Sequence, residues 1–141
     1  MSASCLFCGI AAGTIPARIV HAEDALVAFL DTSPLLPGHV LVVPRTHHDT
    51  LDDAASELVG PLFAAVQRIS IALQAAMPAD GSFVAVNTRV SQSVPHLHVH
   101  VVPRREKDGL FSPKLVWHRR PYSSDSEADA VAERIRRALQ A

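Results

Sequence analysis

Between Arg18 and Pro44 the chain is a series of short apolar runs broken by polar pairs and turn residues. Arg18 to Ala22 and Ala25 to Asp31 are rich in β-formers and are parted by Glu23-Asp24, which predicts a hairpin. Gly38 to Pro44, "GHVLVVP", predicts a third strand between proline-bearing turns. The period then changes. Leu58, Leu62, Ala65, Val66, Ile69 and Leu73 recur close to helical spacing, so a long helix is expected from about Ala54 to Met77 with Asp52-Asp53 as its cap. Pro61 falls in its first turns and leaves room for a late start or a kink. Pro78 to Gly81 ends it, and Ser82 to Asn87 and His96 to Pro103 predict two more strands. Ser124 and Glu127 have capping-box spacing and open an amphipathic helix to about Leu139. Residues before Arg18 read as a short N-terminal arm. Strands interrupted by one long helix predict an α+β fold: an antiparallel sheet of about five strands, the long helix and a C-terminal helix.

Composition narrows the class without naming a chemistry. The 141 residues suit one domain with a real core, 48% apolar and 19% charged. A net charge of −1 and 5% aromatics give no footprint for nucleic acid. No membrane partner is expected: Leu58 to Met77 comes nearest to a spanning run, and Gln67 and Arg68 interrupt it. No charged, then apolar, leader opens the sequence, so a cytoplasmic location is expected. Arg104-Arg105 and Arg119-Arg120 read as solvated surface, with Arg104 in reach of a polyphosphate. His21 and His118 also read as surface.

The stretch "PHLHVHVVPR" changes the picture. On a strand His96, His98 and His100 share one face, and Leu97, Val99 and Val101 share the other. The apolar row can pack on the long helix. The imidazole row then has to meet solvent, a ligand or a metal, because unpaired buried rings are costly. A plain solvated face would also draw on Lys, Thr or Glu, and the row has none. Imidazole is a nucleophile, a proton carrier near neutral pH and a metal ligand, which favours a functional row.

His96 to Val102 follows the pattern His, apolar, His, apolar, His, apolar, apolar. Together with "IPARIVHAEDALVAFLDTSP", "PGHVLVVPRTHHDTL" and "QSVPHLHVHVVPR", in that order, it resembles the histidine triad (HIT) family of nucleotidyl hydrolases and transferases, in particular the zinc-containing bacterial type. The resemblance spans roughly Cys5 to Arg105. It divides the chain into a HIT domain, 1–105, and a C-terminal extension, 106–141, packed on the same domain. It implies cleavage at a nucleotide α-phosphate through a covalent nucleotidyl-histidine, the substrate being a dinucleoside polyphosphate, nucleoside phosphoramidate or related adenylate. His98 would be the nucleophile, His100 the phosphate or bridging-oxygen partner, and His39 an orienting residue on a neighbouring strand. Asp31 would take the ribose hydroxyls, while Phe7, Ile10 and Phe29 would line an adenine or guanine base. Asn87, Gln92 and Ser93 would supply phosphate donors. The connecting "NTRVSQSV" has none of the glycines usual there, so a stiffer loop is expected, with Arg89 near the site. The family also implies a homodimer joined through the long helices and the sheet.

Cys5 and Cys8, the only cysteines, have C-x-x-C spacing, which in a reducing compartment ranks metal or redox chemistry above a structural bridge. A thioredoxin-type pair opens a helix after a strand, and this pair stands at the N-terminus. Several HIT proteins carry a zinc there, and the resemblance makes His47 the third ligand and His96 the fourth, with His48 the competitor for His47. Four protein ligands leave no open position, so the zinc would be structural. Two function classes follow: an enzyme, or a nucleotide-binding regulatory module with little turnover. An intact nucleophile favours the enzyme. A zinc-ribbon nucleic-acid binder ranks third.

Overall fold

The computed structural model describes residues 4–112 and 119–141; His118 lies outside them. The elements are α1 (Leu6–Ala12), β1 (Ile19–Ala22), β2 (Leu26–Leu30), β3 (Val40–Pro44), α2 (Ser56–Ala76), β4 (Gly81–Ala85), β5 (Val99–Arg104) and α3 (Asp125–Gln140). The strands form one five-stranded antiparallel sheet in the order β1-β2-β3-β5-β4.

Every residue of β2 and β3 is buried because both faces of the sheet are covered, which explains their unbroken apolar sequence. Leu26, Ala28, Leu30, Val40, Val42, Val99 and Val101 enter the main core with Leu62, Ala65, Ile69 and Leu73 of α2 and with Val131 and Ile135 of α3. Val27, Phe29, Leu41 and Val43 point the other way, under Phe7 and Ile10 of α1. Each fully buried side chain of this size contributes about 1.5–3 kcal/mol. By length and mean hydropathy, 1.4, α2 is apolar enough to cross a membrane. The interruption at Gln67 and Arg68 is confined to its exposed side, and the opposite side fills the core.

Three elements depart from expectation. The N-terminal arm is helical: Cys5 is the N-cap of α1, its sulfur accepting from the Cys8 amide, and Gly13 ends it at φ 80°. Cysteine is an unusual cap, which hid the helix in the sequence. The long helix starts at Ser56 behind Ala55, which offers no side-chain cap. Asp53 serves a separate turn instead: the Thr50 hydroxyl donates to its carboxylate at 2.7 Å, and its amide donates to Thr50 Oγ1 at 3.3 Å. Helix α2 runs on through Pro61. Near its first turn the missing N–H removes one helical bond. Finally, the last two strands are shorter than expected, β4 ending at Ala85 and β5 starting at Val99. His96 and His98 therefore precede the strand, although the Leu97 amide is already held by the His48 carbonyl at 2.7 Å.

The turn before β3 requires a glycine. Gly38 has φ 93°, and a Cβ there would lie 2.8 Å from Met77 Cγ and 2.9 Å from Pro103 Cγ. The residue that this turn delivers to the sheet is His39.

Candidate active site

His39, His96, His98 and His100 are all buried, and each ring has partners. The backbone fixes their tautomers. The Leu35 amide donates to His39 Nδ1 at 3.0 Å, so the proton of that ring sits on Nε2. His39 Nε2–H then donates to His100 Nδ1 at 2.9 Å, which puts the His100 proton on its own Nε2. His98 Nδ1–H donates to the His96 carbonyl at 2.7 Å, leaving the lone pair on Nε2. Burial first, then the Arg119 and His98 charges, push the His39 pKa down to about 3. Burial first, then His39 and His98, do the same to His100, also to about 3. Burial lowers His98 against the opposing pull of the His96 carbonyl. The rings are neutral at pH 7, so the 3.7 Å approach of His39 to Asp31 is not an ion pair.

This burial predicts acid sensitivity with a definite sign. An unfolded imidazole titrates near 6.5, whereas His39 and His100 stay neutral to about 3. Below pH 6.5 the unfolded chain binds protons that the folded chain refuses. Stability is therefore full above that pH and falls toward pH 3, by up to about 1.4 kcal/mol per pH unit for each ring. Thermal melts should shift down clearly between pH 7 and pH 5; an unchanged midpoint would contradict neutral buried rings.

A cavity of about 300 Å³ opens onto these rings, lined by Phe7, Ile10, Phe29, Asp31, Ser93, His98, His100 and Arg119 among others. The base, sugar and histidine residues expected from the sequence thus meet at one place. A larger cavity, about 520 Å³, lies elsewhere beside Met77, Arg105 and Arg134 and contains no histidine. Asn87 and Gln92 do not line the histidine cavity. The Asn87 amide donates to the Ser91 carbonyl at 3.3 Å. Gln92 is spent on its own loop and on the turn after β3, accepting from the Arg89 amide at 2.8 Å and donating to the Val94 and Asp49 carbonyls. Arg89 points away to Asp52, at 3.6 Å. The glycine-free loop pays in backbone strain, with Arg89 at φ 66° and Ser91 at φ 62°. Arg104 is engaged by Asp108 at 2.8 Å and lies over Phe111, outside the cavity. Arg119, expected on the solvated surface, is partly buried instead: it donates to Asp31, and both residues line the cavity.

Beside this row, Cys5, Cys8, His47 and His96 bring one ligand atom each within 4.8 Å of one another. His47, not His48, completes the group. Cys5 Sγ is 3.4 Å and Cys8 Sγ 3.5 Å from His96 Nδ1, and Cys8 Sγ is 3.2 Å from His47 Nδ1. A tetrahedral zinc with ordinary bond lengths needs sulfur–nitrogen edges of about 3.5 Å. The outer nitrogens fit as well: His96 Nε2–H donates to the Pro44 carbonyl at 2.8 Å and His47 Nε2–H to Asp49 at 2.7 Å, turning both lone pairs toward the sulfurs. Burial and the nearby Cys5 push the Cys8 thiol up, so a stable thiolate pair there needs a cation. Asp31, His39 and His100 also cluster, but the facing nitrogens of the two rings are bonded to each other, which argues against a second metal. The cysteine pair opens a helix, as a redox pair would, yet its sulfurs face two imidazoles.

The fold and the histidine row define a family. The HIT domain matches residues 12–107, and the chain belongs to the HIT family. It is 42% identical over 106 residues to an uncharacterized HIT-like protein of Saccharolobus solfataricus, covering 74% of this chain and 76% of that one. It is 32% identical over 137 residues to Adenylylsulfatase HINT3 of Arabidopsis thaliana, covering 96% and 69% of the two chains. The crystal structure of a Zn-bound histidine triad family protein from Mycobacterium smegmatis superposes with a TM-score of 0.84 at 36% identity, over 97% of this chain and 94% of that one.

Proposed function

We propose that this protein is a nucleotidyl hydrolase or transferase that attacks the α-phosphate of a dinucleoside polyphosphate, nucleoside phosphoramidate or related adenylate. The observation that carries the reading is the bond from His98 Nδ1–H to the His96 carbonyl, which leaves Nε2 with its lone pair in the cavity. Nε2 forms a bond to phosphorus while the bond to the leaving group breaks, the electron pair departing with that group. The positive charge developing on the ring is shared through Nδ1–H with the carbonyl. His100, protonated on Nε2, donates to a phosphate or bridging oxygen. Water then attacks phosphorus and gives up a proton to the departed group or to solvent, while the electron pair of the breaking phosphorus–nitrogen bond returns to Nε2 and His98 becomes neutral again. His39 holds His100 in the required tautomer. Asp31 accepts the ribose hydroxyls, and Phe7, Ile10 and Phe29 surround a purine. The adenylylsulfatase relative supports an adenylate among the candidates. Incubation with a panel of these three compound classes, followed by mass spectrometry of products and protein, tests the reading. Consumption of one class with a transient nucleotidyl adduct is expected. No consumption and no adduct would sink it.

The donor set at Cys5, Cys8, His47 and His96 would hold a structural zinc, which supplies cross-linking and no reaction step. The Zn-bound relative supports that choice of metal. A homodimer is part of the same reading: Ile71 on α2 is 65% exposed and Val84 on β4 40% exposed, apolar surface that pairing through the helices and the sheet would cover. Light scattering at micromolar concentration should give twice the chain mass, and a monomer mass would reject it.

A further inference from the structure

Asp31 is a buried carboxylate, 8% exposed, and a buried charge needs donors. It has two. The Ser33 amide donates to Oδ1 at 2.9 Å, and Arg119 Nη1 donates to Oδ2 at 2.7 Å. The same Nη1 reaches the Ser33 carbonyl at 2.7 Å, so the guanidinium is fixed by two acceptors on one turn. The backbone around it is pinned too. The Arg120 amide donates to the Pro34 carbonyl at 2.7 Å, and Tyr122 Oη accepts from the Gly38 amide at 2.8 Å. Residues 119–122 are thus sewn across the 31–38 loop, which starts at one cavity residue and delivers His39 to the sheet. Arg119 also lines the cavity of His98 and His100.

We propose that Arg119 is a positioning residue for the sugar of the substrate, acting through Asp31, and that it sets the preference for a ribonucleotide with both hydroxyls. This rests on the nucleotide reading above. A carboxylate offers about four lone-pair sites. Ser33 and Arg119 take one on each oxygen, which leaves one on each for the two vicinal hydroxyls of ribose. Arg119 also sets a guanidinium 2.7 Å from Oδ2, and a charge-assisted bond of this kind holds the carboxylate more firmly than a neutral donor would. Without it, Asp31 loses the donor that fixes its plane, and the pair of acceptors no longer matches the pair of hydroxyls. A residue that merely competed with the nucleotide for Asp31 would have the opposite effect on affinity.

The test uses the full chain and four probes: AMP, GMP and their 2′,3′-dideoxy counterparts, titrated by calorimetry. The wild type is expected to bind the better ribonucleotide about tenfold or more tighter than its dideoxy partner. Arg119→Ala should shrink that ratio to below about threefold by weakening the ribonucleotide alone, and with a turned-over substrate it should raise KM while kcat stays within a few-fold. Arg119→Lys should restore part of the ratio, and Arg119→Gln, which keeps a donor without the charge, less. Thermal melts of the Lys and Gln variants identify any that are unfolded. Equal weakening of both sugars, or tighter binding of the ribonucleotide by Arg119→Ala, overturns the proposal while leaving the nucleotide reading intact. A wild type that binds none of the four probes overturns both.

Discussion

His98→Asn is expected to lower turnover by roughly 10³-fold or more while leaving nucleotide affinity within a few-fold of wild type. Asparagine keeps a polar group where the imidazole stood but has no nitrogen lone pair able to form the bond to phosphorus. The surroundings of His98 are otherwise intact: Phe7 meets its ring edge to face at 5.1 Å, and Asp31, Phe29 and Ile10 still form the rest of the cavity. Early quenching of the wild type with a radiolabelled nucleotide should trap label that is labile to acid and stable to alkali, as a phosphorus–nitrogen bond is, and the variant should trap none. Near-wild-type turnover by His98→Asn would remove the nucleophile. His100→Asn should be less complete in its effect on rate but worse for stability, because it breaks the 2.9 Å bond to His39. Leaving that buried donor unsatisfied costs about 1–3 kcal/mol.

The second large effect concerns the metal. Purified protein should hold about one zinc per chain, and Cys5→Ser combined with Cys8→Ser should lose it and lower the melting temperature by roughly 10 °C or more. The size follows from what the sulfurs hold. Helix α1 has only seven residues, too few to persist alone, and the cysteines are its N-cap and a residue of its first turn. At its far end Arg45 Nη1 donates to the Ala11 carbonyl at 2.8 Å. The same helix carries Phe7 and Ile10 into the cavity. Metal loss should therefore raise KM as well as reduce stability. Protein that is metal-free and fully stable would sink the zinc assignment and leave the histidine chemistry standing.

The sequence made the sheet legible where burial is two-sided, in "LVAFL" and "VLVVP", because an apolar run of that length bounded by turns has few other uses. The triad was legible for a related reason: its spacing of two separates a functional row from a core row. His47 and His48 are indistinguishable in sequence, since only the path of the chain decides which ring meets the cysteines. Helix α1 was missed because it is short and capped by a sulfur. Asn87 and Gln92 look like ligand donors in sequence, and in space Asn87 closes its own loop while Gln92 ties that loop to Asp49. Arg119 was missed for a different reason. Its partner is 88 positions away, and no local pattern marks the segment that carries it.

The hydrogen bonds from Leu35 through His39 to His100 form an oriented chain with one closed end. An amide nitrogen gives a hydrogen bond and has no basic lone pair to take a proton back, so the first link cannot reverse. His39 is consequently locked as a donor toward His100 and cannot act as a sink for protons released in the cavity. In the proposed reaction any proton that moves would be exchanged on the open side, among substrate, leaving group and water. Acid and base would therefore balance within the pocket itself: neutral His100 could give a leaving group a hydrogen bond but has no second proton to hand over, so protonation would have to come from solvent.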